Sequence, residues 1–213
     1  MFRKSTHKIT ATAIGLLATV LAIGTSVEGS AAATHVATDP FTQATCAASG
    51  KTNHGAIAEP DSFSYGTTTV AAYQVGRIYD GGACTIGFST FDGTSWTSGL
   101  LPGITKWTAN ALGTNDRATD ASVAYDSVHG VWMVSSLSLV EAGGLRGNYV
   151  LTSRSTNGGK TWSNPVITAT GGDLDKNWIV CDNGASSPYK GNCYTEWDNH
   201  GAGNLMQMSR STD

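Results

Sequence analysis

The chain has 213 residues, of which 14% are charged, and its formal net charge at pH 7 is −3. This sparse, slightly acidic charge excludes a basic surface of the kind that binds nucleic acid or an anionic membrane. Glycine occurs 26 times, and no segment after the N-terminal one keeps a 3.6-residue apolar period, so we expect an all-β protein with many tight turns.

The N-terminal segment has the pattern of a secretory signal peptide. Residues 1–8 are basic, residues 9–24 are apolar, and Ala31 to Ala33 form a small-residue cleavage signal. We therefore expect a signal peptide over 1–33, a secreted protein and no membrane association after cleavage. An uncleaved signal anchor is the alternative, although the apolar run is shorter than the ~20 residues that span a bilayer.

The four cysteines predict disulfides rather than a metal site. Cys46, Cys84, Cys181 and Cys193 have no Cys-x-x-Cys spacing, and their even number in an exported chain favours two bridges. Three pairings are open. We favour Cys181–Cys193, because these residues lie in segments that resemble neighbouring strands, and this leaves Cys46–Cys84.

The remaining chain repeats one unit at intervals of about 60 residues. An N-terminal segment over 34–55 precedes units at about 56–102, 117–170 and 175–213, the last of them truncated. Each unit reads as a short strand, a turn, a second strand, a longer loop, a third strand and an octet that leads into a fourth strand. Four antiparallel strands per repeat predict the blades of a β-propeller, and a β-sandwich is the alternative.

The octets are "STFDGTSW" at 89–96 and "STNGGKTW" at 155–162, and "STD" at 211–213 begins a third. Central glycines permit the positive φ angles of a tight turn, and an Asp or Asn before them can accept turn N–H groups. We expect the closing tryptophan to pack as a wedge between sheets. The structural octet residues are Ser89, Asp92, Gly93, Trp96, Ser155, Asn157, Gly159, Trp162, Ser211 and Asp213.

These octets resemble the Asp-box, or bacterial neuraminidase repeat, whose pattern is Ser-x-Asp-x-Gly-x-Thr-Trp. Asn157 replaces the acid in one copy, and Asp92 is shifted by one position in the other. "DKNWIVCD" at 175–182 also resembles secreted bacterial sialidase-like glycosyl hydrolases. The resemblance implies a sialidase-type β-propeller of six blades when complete, with a glycan bound at one end of its axis and the octets, in a structural role, at the other.

Because about three blades are present, we expect the chain to be an N-terminal fragment, inactive alone, of a protein that is monomeric when complete. The alternative is an independently stable oligomer of three-bladed chains. The resemblance implies an exported glycoside hydrolase, with exo-α-sialidase as the leading activity and a glycan or glycoconjugate as the partner. A non-catalytic propeller that binds glycan or protein is the alternative, since a fold alone does not determine function.

Propeller topology assigns the site to the loops opposite the octets. We expect substrate-binding residues at Arg77, Arg117, Asp120, Asp175 and Lys176. Other polar residues in these loops are Glu59, Tyr79, Asp116, Glu141, Arg146, Asp173, Asp198 and His200.

Sialidases hold the substrate carboxylate with three arginines and use an Asp as general acid and a Tyr, assisted by a Glu, as nucleophile. Asp80 is our candidate acid, although it follows Arg77, whereas the resemblance places the acid before an arginine. The nucleophile and the other arginines would lie beyond Asp213, and we expect Tyr73 and Tyr125, like Tyr194, to be core residues.

No cofactor or metal is expected from the ligand spacings. The run "GGDLD" at 171–175 is a weak candidate for a structural calcium ion, because it lacks the loop signature of a calcium hand.

Overall fold

The structure is a computed structural model that describes residues 33–108 and 113–213, so the predicted signal peptide lies outside it, apart from Ala33. The described part is all-β. Its strands are β1 Thr52–Tyr65, β2 Thr68–Ile78, β3 Ala83–Phe91, β4 Trp96–Leu100, β5 Arg117–Asp126, β6 Val131–Val140, β7 Arg146–Ser155, β8 Val166–Thr170, β9 Leu174–Cys181, β10 Cys193–Asn199 and β11 Leu205–Ser211. A short 3₁₀ turn, His200–Ala202, joins β10 to β11.

The strands form three antiparallel meanders, β1–β4, β5–β8 and β9–β11. The first two are connected into one sheet by the single pair Ala83–Ala118 between β3 and β5. β1 begins at Thr52, four residues before the first unit expected from the sequence. Phe91 pairs with Thr69, so the octet between β3 and β4 lies at the end of the meander opposite the β2–β3 loop.

The middle strands are buried on both faces because the meanders pack against one another. The core between the first two meanders contains Val70, Phe88, Leu101, Trp132 and Leu151. Leu174 and Trp197 of the third meander pack on the second in a separate cluster. Strands of this kind lose strict polar alternation and carry small buried hydroxyl residues.

An N-terminal segment, residues 35–50, covers the other face of the first meander. Phe41 and Cys46 pack on Tyr73 and Val75, and the disulfide Cys46–Cys84 attaches the segment to β3. The second disulfide, Cys181–Cys193, joins β9 to β10, so the pairing favoured from the sequence is the one present. Tyr73 is a core residue, only 3% exposed, as expected.

Both octets form turns, and the second octet docks on the first meander. Asp92 Oδ1 accepts the N–H groups of Thr94 and Ser95, each at 3.0 Å, so the shifted acid still stabilises its turn. In the second octet, Asn157 Oδ1 accepts from Thr161 N at 3.0 Å. The hydroxyl of Thr90 donates to the Gly159 carbonyl at 2.8 Å, which connects the two octets.

Gly159 is required at this contact. Its φ is +78°, and a Cβ there would lie 2.6 Å from Thr90 Oγ1 and 2.8 Å from Val70 Cγ2. The glycine therefore serves both the turn and the close approach of the two meanders.

The octet tryptophans differ. Trp162 packs between meanders, with its ring centroid 5.8 Å from that of Phe88, and it donates to the Gly159 carbonyl at 3.0 Å. Trp96 is 38% exposed, and its ring centroid lies 5.4 Å from that of Phe91 in its own meander. The expected wedge is present for Trp162, whereas the aromatic contact of Trp96 lies within its own meander.

Within the described residues, no helix has the length and apolar character needed to cross a membrane.

We predict that Trp162→Ala lowers the free energy of unfolding by about 2–4 kcal/mol, because it removes an indole from the core between meanders. Trp96→Ala, the matched substitution at the other octet, costs less than about 1 kcal/mol because that side chain is partly solvated. Urea denaturation of both variants measures the difference, and equal losses would contradict the docking role of Trp162.

Candidate functional site

Each meander carries a strained residue at the same place in its first strand. Glu59, Asp120 and Lys176 have φ angles of 50°, 52° and 43°, in the left-handed region that non-glycine residues avoid. Each lies at a break in strand register. In β1 the break is between Ala58 and Asp61, and in β5 it is between Thr119 and Ser122. In β9, Lys176 lies opposite the break between Glu196 and Asp198 of β10. We call these three positions the bulge residues.

Such a conformation costs on the order of 1–3 kcal/mol per residue and persists where the surrounding structure holds it, often at functional sites. Asn204, in the turn before β11, also has a positive φ, but its position has no counterpart in the other meanders. Three equivalent bulges that all carry ionisable side chains therefore mark the candidate site.

Gln74 connects the bulges of the first two meanders. This side chain is fully buried, and its Nε2 donates to Glu59 Oε2 at 2.5 Å and to Thr119 Oγ1 at 2.8 Å. Thr119 in turn donates to Asp120 Oδ1 at 3.1 Å. A continuous chain of hydrogen bonds thus runs between the two carboxylates.

Asn177 holds the second bulge from the third meander. Its Nδ2 donates to the Asp120 carbonyl at 3.0 Å and to Ser135 Oγ at 2.8 Å. The side chain is fully buried, and its Oδ1 accepts no hydrogen bond from the described residues. Asn177 Oδ1 is thus a buried acceptor without a donor among the described residues.

The electrostatic environment raises the pKa of Asp120. Burial raises the pKa of this carboxyl, and the negative charges of Asp175 and Glu59 raise it further. The charge of Lys176 and the hydrogen bond from Thr119 oppose the increase without cancelling it. A carboxyl whose pKa is raised by burial and by like charges has the properties of a general acid.

Arg117, which the sequence predicts to bind substrate, has a guanidinium that already pairs with two carboxylates. The residue is 1% exposed, its Nε donates to Glu141 at 2.6 Å, and its Nη1 donates to Asp80 at 2.6 Å. Nη1 also donates to the Gly81 carbonyl at 2.7 Å. Although burial opposes the charge, the hydrogen bonds to the two carboxylates raise the pKa of Arg117, so it stays a buried cation that holds loops together.

Asp80, which the sequence predicts to be the general acid, pairs with Arg117. Its hydrogen bond from Arg117 lowers the pKa of the carboxyl below the ordinary value, so this group has given up its proton at neutral pH. The sequence placed Asp80 in the correct loop, but the partner that determines its protonation, Arg117, comes from the next meander.

The other expected substrate-binding residues lie beside the bulges. Arg77 is 3.8 Å from Glu59 and donates to Gln74 Oε1 at 3.2 Å and to the Gly82 carbonyl at 2.8 Å. Asp175 and Lys176 are exposed, and the Lys176 ammonium lies 5.5 Å from the centroid of the Trp178 ring. Asp175 Oδ2 lies 3.9 Å from His200 Nε2.

Gln74, Thr119 and Asn177 were missed from the sequence. The signal for Gln74 was a carboxamide inside an otherwise apolar strand, "VAAYQV", where a buried polar side chain needs a partner. For the candidate calcium run, Asp173 Oδ1 accepts from Gly147 N at 2.8 Å. Among the residues the structure describes, no group of three or more His, Cys, Asp or Glu side chains is placed to hold a metal ion.

Neither protein-family models nor curated protein sequences match this chain. Among solved structures, a Hadza microbial sialidase superposes with a TM-score of 0.53 at 14% identity, covering 74% of this chain and 35% of its own. An exo-β-1,3-galactanase from Phanerochaete chrysosporium gives 0.48 at 12% identity over 76% of this chain and 38% of its own. A Trypanosoma rangeli sialidase gives a TM-score of 0.42 at 12% identity over 74% of this chain and 31% of its own.

The described fold is therefore similar to part of a propeller-type glycosidase, and the chain spans about a third of the length of the first sialidase.

We predict that Asp120→Asn stabilises the protein at neutral pH by about 0.5–2 kcal/mol, a range common where a functional group has been held at a cost. The pKa of Asp120 is raised in the folded protein, so its protonated form favours the folded state. The contribution of Asp120 to the free energy of unfolding is complete below the ordinary pKa of 3.8 and is lost as pH rises through the folded pKa. Thermal denaturation across pH should show the gain of the variant at neutral pH and its disappearance in acid.

Asp92→Asn is the matched control, because the pKa of Asp92 is shifted in the opposite direction from that of Asp120. Hydrogen bonds from Ser95 and Lys160 lower the pKa of Asp92 to about 2, so its contribution is present above pH 3.8 and lost as pH falls through about 2. Asp92→Asn should therefore give no stabilisation at neutral pH. A loss of stability in Asp120→Asn would contradict the raised pKa.

Proposed function

We propose that this chain carries the catalytic site of an exported glycoside hydrolase with a sialidase-type propeller. The observation that carries the proposal is the set of three equivalent strained bulges at Glu59, Asp120 and Lys176. One of them, Asp120, has a carboxyl with a raised pKa. Similarity of the fold to part of a sialidase supports the glycosidase class, and the two disulfides support export to an oxidising compartment.

In this proposal Asp120 donates its proton to the glycosidic oxygen as the bond between that oxygen and the anomeric carbon breaks. A water molecule then adds to the anomeric carbon and returns a proton to the Asp120 carboxylate. Glu59, hydrogen-bonded by Gln74 and next to Arg77, is the side chain that stabilises the positive charge developing on the sugar ring. One protonated and one ionised carboxyl are the pair that most glycosidases use. Arg77, Asp175 and Lys176 are the remaining candidates for substrate contacts.

Exo-α-sialidase, the activity implied by the resemblance, is the more specific hypothesis and the less favoured one. It uses arginines that pair with the substrate carboxylate, yet Arg117 is enclosed by Asp80 and Glu141. Arg77 already contacts Gln74, Gly82 and Glu59. The broader glycosidase class does not depend on these arginines.

The test is hydrolysis of a panel of fluorogenic glycosides, including a sialoside, by the full-length protein. We expect Asp120→Asn to lower kcat by about 10²–10⁴-fold, the usual contribution of a general acid, and to remove the alkaline limb of the pH profile. Asp92→Asn, which changes the same charge at the octet end, should keep wild-type activity.

Full activity in Asp120→Asn would overturn the assignment of the acid. Glycan binding without hydrolysis of any substrate would contradict the catalytic proposal and favour the non-catalytic binding propeller.

A further inference from the structure

The charges around the bulge residues bear on the class of sugar that the site accepts. Glu59 and Asp175 both act on Asp120, and both side chains are about half exposed, at 52% each. Ligand groups that approach Asp120 therefore also approach two carboxylates. A ligand carboxylate placed there would meet like charges at short range, where screening by salt is incomplete.

The neighbouring cations already have partners. The guanidinium of Arg77 donates to Gln74 and Gly82 and lies 3.8 Å from Glu59. The ammonium of Lys176 lies over the ring of Trp178, at 5.5 Å from its centroid. A ligand carboxylate would have to displace these contacts to gain an ion pair.

The site offers hydrogen-bond acceptors that have no donor among the described residues. Asn177 Oδ1 is buried next to Asp120 without a donor from the described residues, and the exposed carboxylate oxygens of Glu59 and Asp175 also accept. Sugar hydroxyls donate hydrogen bonds, whereas an ionised carboxylate only accepts them.

An aromatic surface lies beside these acceptors. Trp178, two residues after Lys176 on β9, is 44% exposed, and the Lys176 ammonium lies 5.5 Å from the centroid of its ring. Sugar rings present C–H faces that pack on aromatic rings, and pockets for small ligands combine such surfaces with a few polar groups.

We infer that the site selects uncharged sugars, whose hydroxyls donate to Glu59 and Asp175 and whose rings pack on Trp178, over sugars that carry a carboxylate. This inference rests on the proposed function, because it describes the substrate of the same site. Glu59 and Asp175 then serve as specificity determinants, since their negative charge excludes acidic sugars.

The experiment measures binding of the full-length Asp120→Asn protein, so that no substrate is consumed, to an array that pairs each sialylated or uronate glycan with its neutral counterpart. We expect neutral glycans to bind at least about tenfold more tightly than their acidic counterparts. The ratio of the affinity for a neutral glycan to that for its acidic counterpart should fall at about 1 M salt, where the Debye length is about 3 Å.

Two added substitutions identify the groups responsible. Glu59→Gln and Asp175→Asn should each bring the ratio closer to one by improving the binding of acidic glycans, whereas Asp92→Asn should leave the ratio unchanged. Trp178→Ala should weaken neutral and acidic glycans alike.

Tighter binding of sialylated or uronate glycans would overturn the inference and leave the proposed glycan site standing. A ratio unaffected by Glu59→Gln and by Asp175→Asn would also overturn it. Absence of binding to every glycan would overturn the proposed function, and the inference with it.

Discussion

The structure depends on how the first strands of the three meanders, β1, β5 and β9, lie side by side without pairing as a sheet. One N–H group of β5 and one of β9 donate to a side chain of the preceding first strand. Asp61 Oδ2 accepts from Val123 N at 2.8 Å, and Ser122 Oγ accepts from Ile179 N at 3.2 Å. Because a buried backbone N–H without a partner is costly, these bonds set the offset between neighbouring meanders.

That offset brings the bulge residues together. Glu59 lies two residues before Asp61 in β1, and Asp120 lies two residues before Ser122 in β5. The contacts of Asp61 and Ser122 therefore also fix the positions of the bulge residues Glu59, Asp120 and Lys176. The strain at the bulges is maintained from outside the strands, by Gln74 from β2 and by Asn177 from β9. The octets, at the other end, connect the same two meanders through Thr90 and Gly159 and leave the site end free.

Much of the fold could be predicted from local pattern. The spacing of the octets identified the repeat, strand alternation identified the meanders, and the disulfide pairing followed from the neighbouring strands that contain Cys181 and Cys193. The sequence also predicted that the octets and the β2–β3 loop lie at opposite ends of a meander, because successive turns of an antiparallel meander lie at alternate ends.

The site was harder to predict because its chemistry depends on contacts between meanders. Arg117 and Asp80 are polar loop residues in the sequence, and only their mutual hydrogen bond shows that they form a structural ion pair. Asp120 was assigned to the correct end, but burial and the charges of Glu59 and Asp175 determine its protonation. No spacing in the sequence encodes those distances.

The most direct test is an NMR titration of the side-chain carboxyl of Asp120. The structure predicts a pKa above the ordinary value of 3.8 in the folded protein, and a decrease on Glu59→Gln and on Asp175→Asn as each removes a neighbouring negative charge. A pKa at or below the ordinary value, unaffected by either substitution, would contradict the claim that the three bulges form one electrostatic site.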